Sequence, residues 1–323
     1  ASVPYWKVFE NAPDFPQDGV QTPDNRLYWC FTAGPECSRV LGGAANTATP
    51  RAYDVLLTDD GTEAPSMTTR GNNAQTAPSR ASFLTPDAAV SPVSPGRTYD
   101  FPFTDAWQTS SCDPTTLLDP TRQLNDIDAA TANLFVMHNR MHDWGYYLGW
   151  TEENSNLQVE NAGSEADTEE RENDPEVGNS QSGSIGGGPT FQGRDNANQI
   201  TLTDGTPGVT NQYLWEPLQA GFYAPCTDGA YDMGIVGHEV GHAISNRMTD
   251  GSNGLSGAQS GSMGESWSDL MAVEYLNGYG LAPYADENRY SLAPYVTGDK
   301  KAGIRNYGMN DSPLNFSNIE YDG

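Results

Sequence analysis

The sequence predicts an α+β fold, β-rich over residues 1–230 and helical over residues 231–323. Three observations lead there. Over residues 1–118, short apolar runs such as Tyr53-Asp54-Val55-Leu56-Leu57 and Arg97-Thr98-Tyr99-Asp100-Phe101 are broken by Pro, Gly and Asn, the signature of strands and long loops. Apolar residues recur at a spacing of three or four near 126–148, 232–248 and 263–276, the signature of helices. The chain has 323 residues, enough to bury a substantial core, and shows no internal repeat.

In the first helix Ala130, Leu134, Met137, Met141 and Trp144 or Tyr147 hold the spacing, and Gly149 is the stop signal. The acidic, Gly-rich stretch 151–188, including Glu165-Ala166-Asp167-Thr168-Glu169-Glu170, reads as a solvated loop, with a cation-binding loop as the alternative. Strand-like sequence returns near 190–202, and Asp204-Gly205 is a turn signal. The second helix takes Asp232 as its cap and Ile235, Val236, Val240, Ala243 and Ile244 as its packing face. The third follows near 263, and the last forty residues read as irregular.

Sixteen Lys and Arg stand against 43 Asp and Glu, a net charge of −27. That balance excludes a basic phosphate-binding surface, hence nucleic acid, and docking on anionic lipid. No run approaches the roughly 18 apolar residues of a membrane span. Cys30, Cys37, Cys112 and Cys226 lack the C-x-x-C spacing of a zinc knuckle or thioredoxin site. Three pairings are possible; Cys30–Cys37 with Cys112–Cys226 is favoured over the others and over four reduced thiols. Low Lys, abundant Asn, Ser, Thr and Gly, and paired Cys point to a secreted, extracellular protein. The start at Ala1 reads as a mature end left after a leader or pro-segment is removed.

The chemistry lies in His238-Glu239-Val240-Gly241-His242. On a helix, positions i and i+4 share a face, so both imidazoles reach one cation, while Glu239 is offset by roughly 100° and sits beside the metal. Downstream, Gly264-Glu265-Ser266-Trp267-Ser268-Asp269 stands at the start of the third predicted helix. Glu265 completes a His2Glu set for Zn2+ and leaves a fourth position for water. Asp269, one turn on, is placed to accept a hydrogen bond from a ligand imidazole, His238 in preference to His242. His138 and His142 are also four apart on a predicted helix, but without a following Glu they are expected to make ordinary packing and hydrogen bonds, with a second metal site as the alternative. Calcium is a further expectation, near Asp228 and Asp232 and in the loop 165–174, on the strength of the acid excess.

The run from His238 to Arg247 followed by Gly264–Asp269 resembles the fungalysin family of secreted zinc metallopeptidases, relatives of thermolysin whose third ligand is a Glu. Gly71-Asn72-Asn73, His142-Asp143-Trp144-Gly145-Tyr146-Tyr147-Leu148-Gly149 and Gly303-Ile304-Arg305-Asn306-Tyr307 are similar to family landmarks in the same order. The resemblance implies a two-lobed, thermolysin-like metalloendopeptidase with the zinc helix between its lobes. It makes His238, His242 and Glu265 the ligands and Glu239 the general base. It places Asn196, Ala197 and Asn198 on a substrate-binding edge strand and Arg305 against a substrate carbonyl. Members of the family continue beyond the segment resembling 315–323, with a histidine that holds the transition state. All four histidines here are otherwise engaged, so the expectation is either a companion polypeptide that supplies that part or a chain that is a fragment. The alternative is a non-catalytic binding subunit on the same fold, or one half of a split enzyme.

Overall fold

In the computed structural model, the described residues are 3–17, 19–41, 51–81, 87, 90–113, 126–161, 163–184, 193–218, 221–249 and 254–318. They form a mixed fold of α-helices and several small sheets. The first sheet has the order β3-β2-β1-β7, from strands β1 (Tyr5–Val8), β2 (Leu27–Cys30), β3 (Arg39–Val40) and β7 (Thr98–Tyr99). The pair β1–β2 is antiparallel, with Tyr5 opposite Cys30 and Val8 opposite Leu27. Strands β4 (Val55–Leu57) and β5 (Glu63–Pro65) make a separate antiparallel pair.

The second four-stranded sheet, of order β6-β8-β10-β9, contributes a wall of the site. It joins β6 (Ala74–Pro78), β8 (Glu176–Ser180), β9 (Ala197–Ile200) and β10 (Gly208–Gln212). β8 runs parallel to both its neighbours. β9 pairs antiparallel with β10, Val209 opposite Ile200 and Gln212 opposite Ala197, and no described strand pairs with its other edge. Two short strands, β11 (Leu214–Trp215) and β12 (Thr227–Asp228), complete the set.

Two expectations change here. The acidic stretch 151–188 is not a solvated loop throughout: it supplies β8, an inner strand, and Glu160, Glu172, Asp174 and Glu176 are buried. Strand structure in 190–202 is confined to Ala197–Ile200, with Asp195 at φ +54° just ahead of it and 190–192 outside the described residues.

After a short helix α1 (Ala106–Ser110), α2 (Ile127–Tyr147) is buried over most of its length, and Leu134, Phe135, Val136, Met137 and Met141 are inaccessible. It is a core helix that also buries polar residues, among them Asn133, His138, Arg140 and Asp143. α3 (Met233–Met248) packs against α2, β9 and β10 and lies along α4 (Ala258–Gly278). Its N-cap is Asp232, whose Oδ1 accepts from Gly234 N at 2.8 Å, satisfying a donor the helix start leaves free. α4 begins five residues before the predicted 263, so Glu265 lies two turns inside it rather than at its start. The Gly and Ser that read as loop are held by reciprocal bonds between Gly257 and Ser260. Among the last forty residues the only α-helix described is α5 (Pro294–Thr297). Among the described residues the larger hydrophobic core runs from Trp6 through α2 and α3 to Val296, and a smaller cluster gathers Ala106, Trp107, Cys112, Leu214 and Cys226. Disulfides join Cys30 to Cys37 and Cys112 to Cys226, the favoured pairing.

Candidate metal centre

α3 presents His238 and His242 one turn apart, with their Nε2 atoms 3.1 Å from each other. Glu265 reaches across from α4, Oε2 lying 3.3 Å from His238 Nε2 and Oε1 3.4 Å from His242 Nε2. Glu265 can do so because the two helices nearly touch at Gly241. A Cβ there would lie 2.8 Å from Ser268 Cα, closer than packed side chains allow. Among the described residues these three side chains are the only group of three His, Cys, Asp or Glu whose ligand atoms lie within 4.8 Å of one another. Two imidazole nitrogens and a carboxylate converging on one point are the donor set of a catalytic zinc site, and the residues fit the ion.

A second layer fixes the first. His238 Nδ1 lies 2.7 Å from Asp269 Oδ1, which leaves Nε2 turned to the cluster. Arg305 grips the same carboxylate with two bonds, Nε to Oδ2 and Nη2 to Oδ1, both 2.7 Å, and its Nη2 lies 3.5 Å from Glu265 Oε2. Planar two-point contact of this kind orients an acid as well as neutralising it. Burial opposes charge on His238, but the hydrogen bonds of Asp269 and Glu265 and the nearby Glu239 carboxylate outweigh it and raise the imidazole to about 9. The hydrogen bonds of His238 and His242 hold Glu265 well below the usual carboxylate range.

Glu239 is buried beside the cluster, and burial pushes its carboxyl up against the pull of the two imidazoles. It lines a cavity of about 370 Å³ together with His238, His242, Glu265 and Arg305. Asn196, Ala197 and Asn198 form part of the wall, and Asn198 Oδ1 accepts from Tyr213 OH at 2.6 Å. Ile235, Leu292 and Ile304 face the same space.

Sequence reasoning passed over three residues of this region. Asn246 lines the cavity one turn after His242, and the helical period that links the histidines was signal enough to find it. Gln199, on β9, lines it as well. Behind Gln199 lies Glu176, which accepts hydrogen bonds from Thr210 Oγ1 and Gln199 Nε2. No local signal marks Glu176 within its acidic run.

The second histidine pair differs from expectation in one respect. His138 is fully buried and neither ring nitrogen has a hydrogen-bond partner among the described residues; burial lowers its pKa to about 3. His142 sits between Asp143, Asn156 and Gln158 at 3.3–3.4 Å. The calcium expectation gathers no group of three acidic donors among the described residues. Asp228 takes bonds from Ala230 N and Gln181 Nε2, both 2.9 Å, and Asp232 from Gly234 N and Val296 N, so both serve as internal caps. In the loop 165–174, Asp174 pairs with Arg247 at 2.9 Å.

The family model of fungalysin metallopeptidase (M36) matches residues 41–322. The extracellular metalloproteinase mep of Aspergillus flavus is 34% identical over 261 residues, 78% of this chain and 35% of that protein. Extracellular metalloproteinase 4 of Arthroderma otae is 31% identical over 264 residues, 79% of this chain and 35% of that protein. Extracellular metalloproteinase MEP of Fusarium vanettenii is 36% identical over 211 residues, 64% of this chain and 28% of that protein. The chain spans about a third of the length of the curated relatives it matches.

Proposed function

The chain belongs to the fungalysin metallopeptidase family, and from that premise we propose that it carries the catalytic zinc site of a secreted metalloendopeptidase that hydrolyses peptide bonds in proteins. The observation that supports the reading best is the meeting of His238, His242 and Glu265, with His238 steadied by Asp269 and Glu239 at its side.

His238, His242 and Glu265 would hold the ion. Bound there, zinc supplies Lewis acidity, drawing the pKa of a water toward about 7 and polarising a carbonyl. Glu239 acts as the general base: its carboxylate takes the proton from the attacking water and passes it to the leaving amine. Glu239 is buried at the cavity wall beside both imidazoles, within reach of a water held there. The open edge of β9, at Ala197 and Asn198, receives an extended peptide through main-chain hydrogen bonds. Arg305 uses Nε and Nη2 on Asp269, and its Nη1 is the group left to meet a substrate carbonyl. In this reading residues 1–230 and 231–323 form two lobes around the cavity, in the thermolysin-like manner. The relatives are extracellular metalloproteinases by name, which supports secretion, and no helix among the described residues is long and apolar enough to cross a membrane.

The test pairs the zinc-loaded chain with Glu239→Gln on casein. The variant should bind zinc and melt like the parent while losing at least about a thousandfold in cleavage rate. Cleavage at the parent's rate by the variant sinks the assignment, as does zinc bound with no cleavage by the parent either alone or with a companion polypeptide, which favours the binding-subunit reading.

A further inference from the structure

The last turn of α3 carries Arg247, whose guanidinium is buried. It holds three separate segments. Nη1 reaches Asp174 Oδ2 at 2.9 Å, Asp204 Oδ1 at 3.2 Å and Ser155 O at 3.3 Å, while Nη2 donates to Thr206 O at 2.7 Å. Asp204 and Thr206 lie in the turn between β9 and β10. Asp174 tightens the same turn by accepting from Gly205 N at 3.0 Å. Gly205 has φ +78°, and a Cβ on it would come within 2.0 Å of Glu170 O, so the turn is seated closely on the acidic segment. Only a planar, multi-donor cation can serve these acceptors together; an ammonium at the same place satisfies fewer.

We infer that Arg247 is a positioning residue: it locks the β9–β10 hairpin to the metal-bearing helix and so fixes the cleft in which an extended peptide lies. The inference rests on the reading of β9 as the substrate edge. Two anchors divide the work. The Asp269–Arg305 pair steadies the ligand His238, and the Arg247 cluster steadies the opposite wall, where Ala197, Asn198 and Gln199 face the cavity. Loosening the second anchor should therefore weaken peptide binding and leave metal binding alone.

The experiment uses the full chain with Asp204→Ala, which removes the hairpin's acid arm but leaves Asp174 on Arg247, and with Arg247→Lys. Arg171→Gln is the control, because Arg171 also pairs with Asp204 from the other side. Three quantities are read: zinc Kd by chelator competition, KM and kcat on a quenched-fluorescence decapeptide, and deuterium exchange of the amides of residues 197–200. In Asp204→Ala and Arg247→Lys, KM should rise about five- to tenfold and exchange in β9 should quicken at least tenfold. Zinc Kd and kcat should stay within about twofold, and Arg171→Gln should behave as the parent does. Unchanged KM and exchange overturn the inference, as does a parallel loss of zinc affinity, which would mean that the helix has simply loosened. If the parent does not cleave, the clamp is decided by the exchange of β9 alone; if it also fails to bind zinc, the proposed function falls.

Discussion

Asp269 carries more of the site than its distance from the metal position suggests. It fixes the His238 ring and is itself gripped by Arg305, so removing its charge frees an imidazole and strands a guanidinium at once. Asp269→Asn should weaken zinc binding by about 10- to 100-fold, measured by competition with a chelator, with the fold retained; an unchanged zinc Kd would remove the orienting role. Glu176 makes a different prediction. Burial, opposed by hydrogen bonds from Thr210 and Gln199, raises its carboxyl to about 7. An acid whose folded pKa lies above its unfolded value of 4.5 binds more protons in the fold. Its contribution to stability is therefore complete below 4.5 and is lost as pH climbs through about 7, on the order of 3 kcal/mol. Urea titrations of the parent and Glu176→Gln across that window should show the neutral variant gaining on the parent as pH rises. A constant difference between the two would mean that Glu176 is ionised throughout.

At the scale of elements, the site depends on how closely α3 and α4 approach. Gly241→Ala places a methyl against the backbone of Ser268, and no flexible side chain can move aside to relieve it. The expected cost is about 1–3 kcal/mol in stability. A fall in zinc affinity should accompany it, because Glu265 retreats with α4. Normal zinc binding in a destabilised variant would separate the helix contact from the ligand geometry. Elements like these were legible where the cause is local. The apolar period of α2 and α3 and the spacing of His238, Glu239 and His242 lie within a few residues of one another, and Asp232 caps the helix it precedes. β8 and the acid just ahead of it were not legible: Glu176 and Asp174 are buried by partners far along the chain, Thr210 for Glu176 and Arg247 for Asp174. The early start of α4 was hidden by Gly and Ser, whose weak helix preference is overcome by the Gly257–Ser260 exchange. His138 kept its expected packing but not its expected hydrogen bonds, since the pocket formed around it offers no described polar partner.

The chain combines a large core, beside a smaller cluster at Cys112–Cys226, among its described residues with a net charge of −27. Self-repulsion at that charge opposes the compact state and is screened once the Debye length falls to a few ångströms. The thermal midpoint should therefore rise steadily between about 0.01 M and 1 M sodium chloride, as calorimetry can follow; a flat or falling midpoint would mean that the surface acids are already neutralised by specific pairing. In the proposed reading, substrate capture falls to the cavity and the free edge of β9.

The most direct measurement is zinc-edge X-ray absorption on the chain carrying one equivalent of zinc, with and without Glu265→Ala. The account predicts two imidazole nitrogens and carboxylate oxygen at about 2.0–2.2 Å in the parent and a changed shell with weaker retention of metal in the variant. A shell without imidazole, or one that Glu265→Ala leaves as it was, would contradict it.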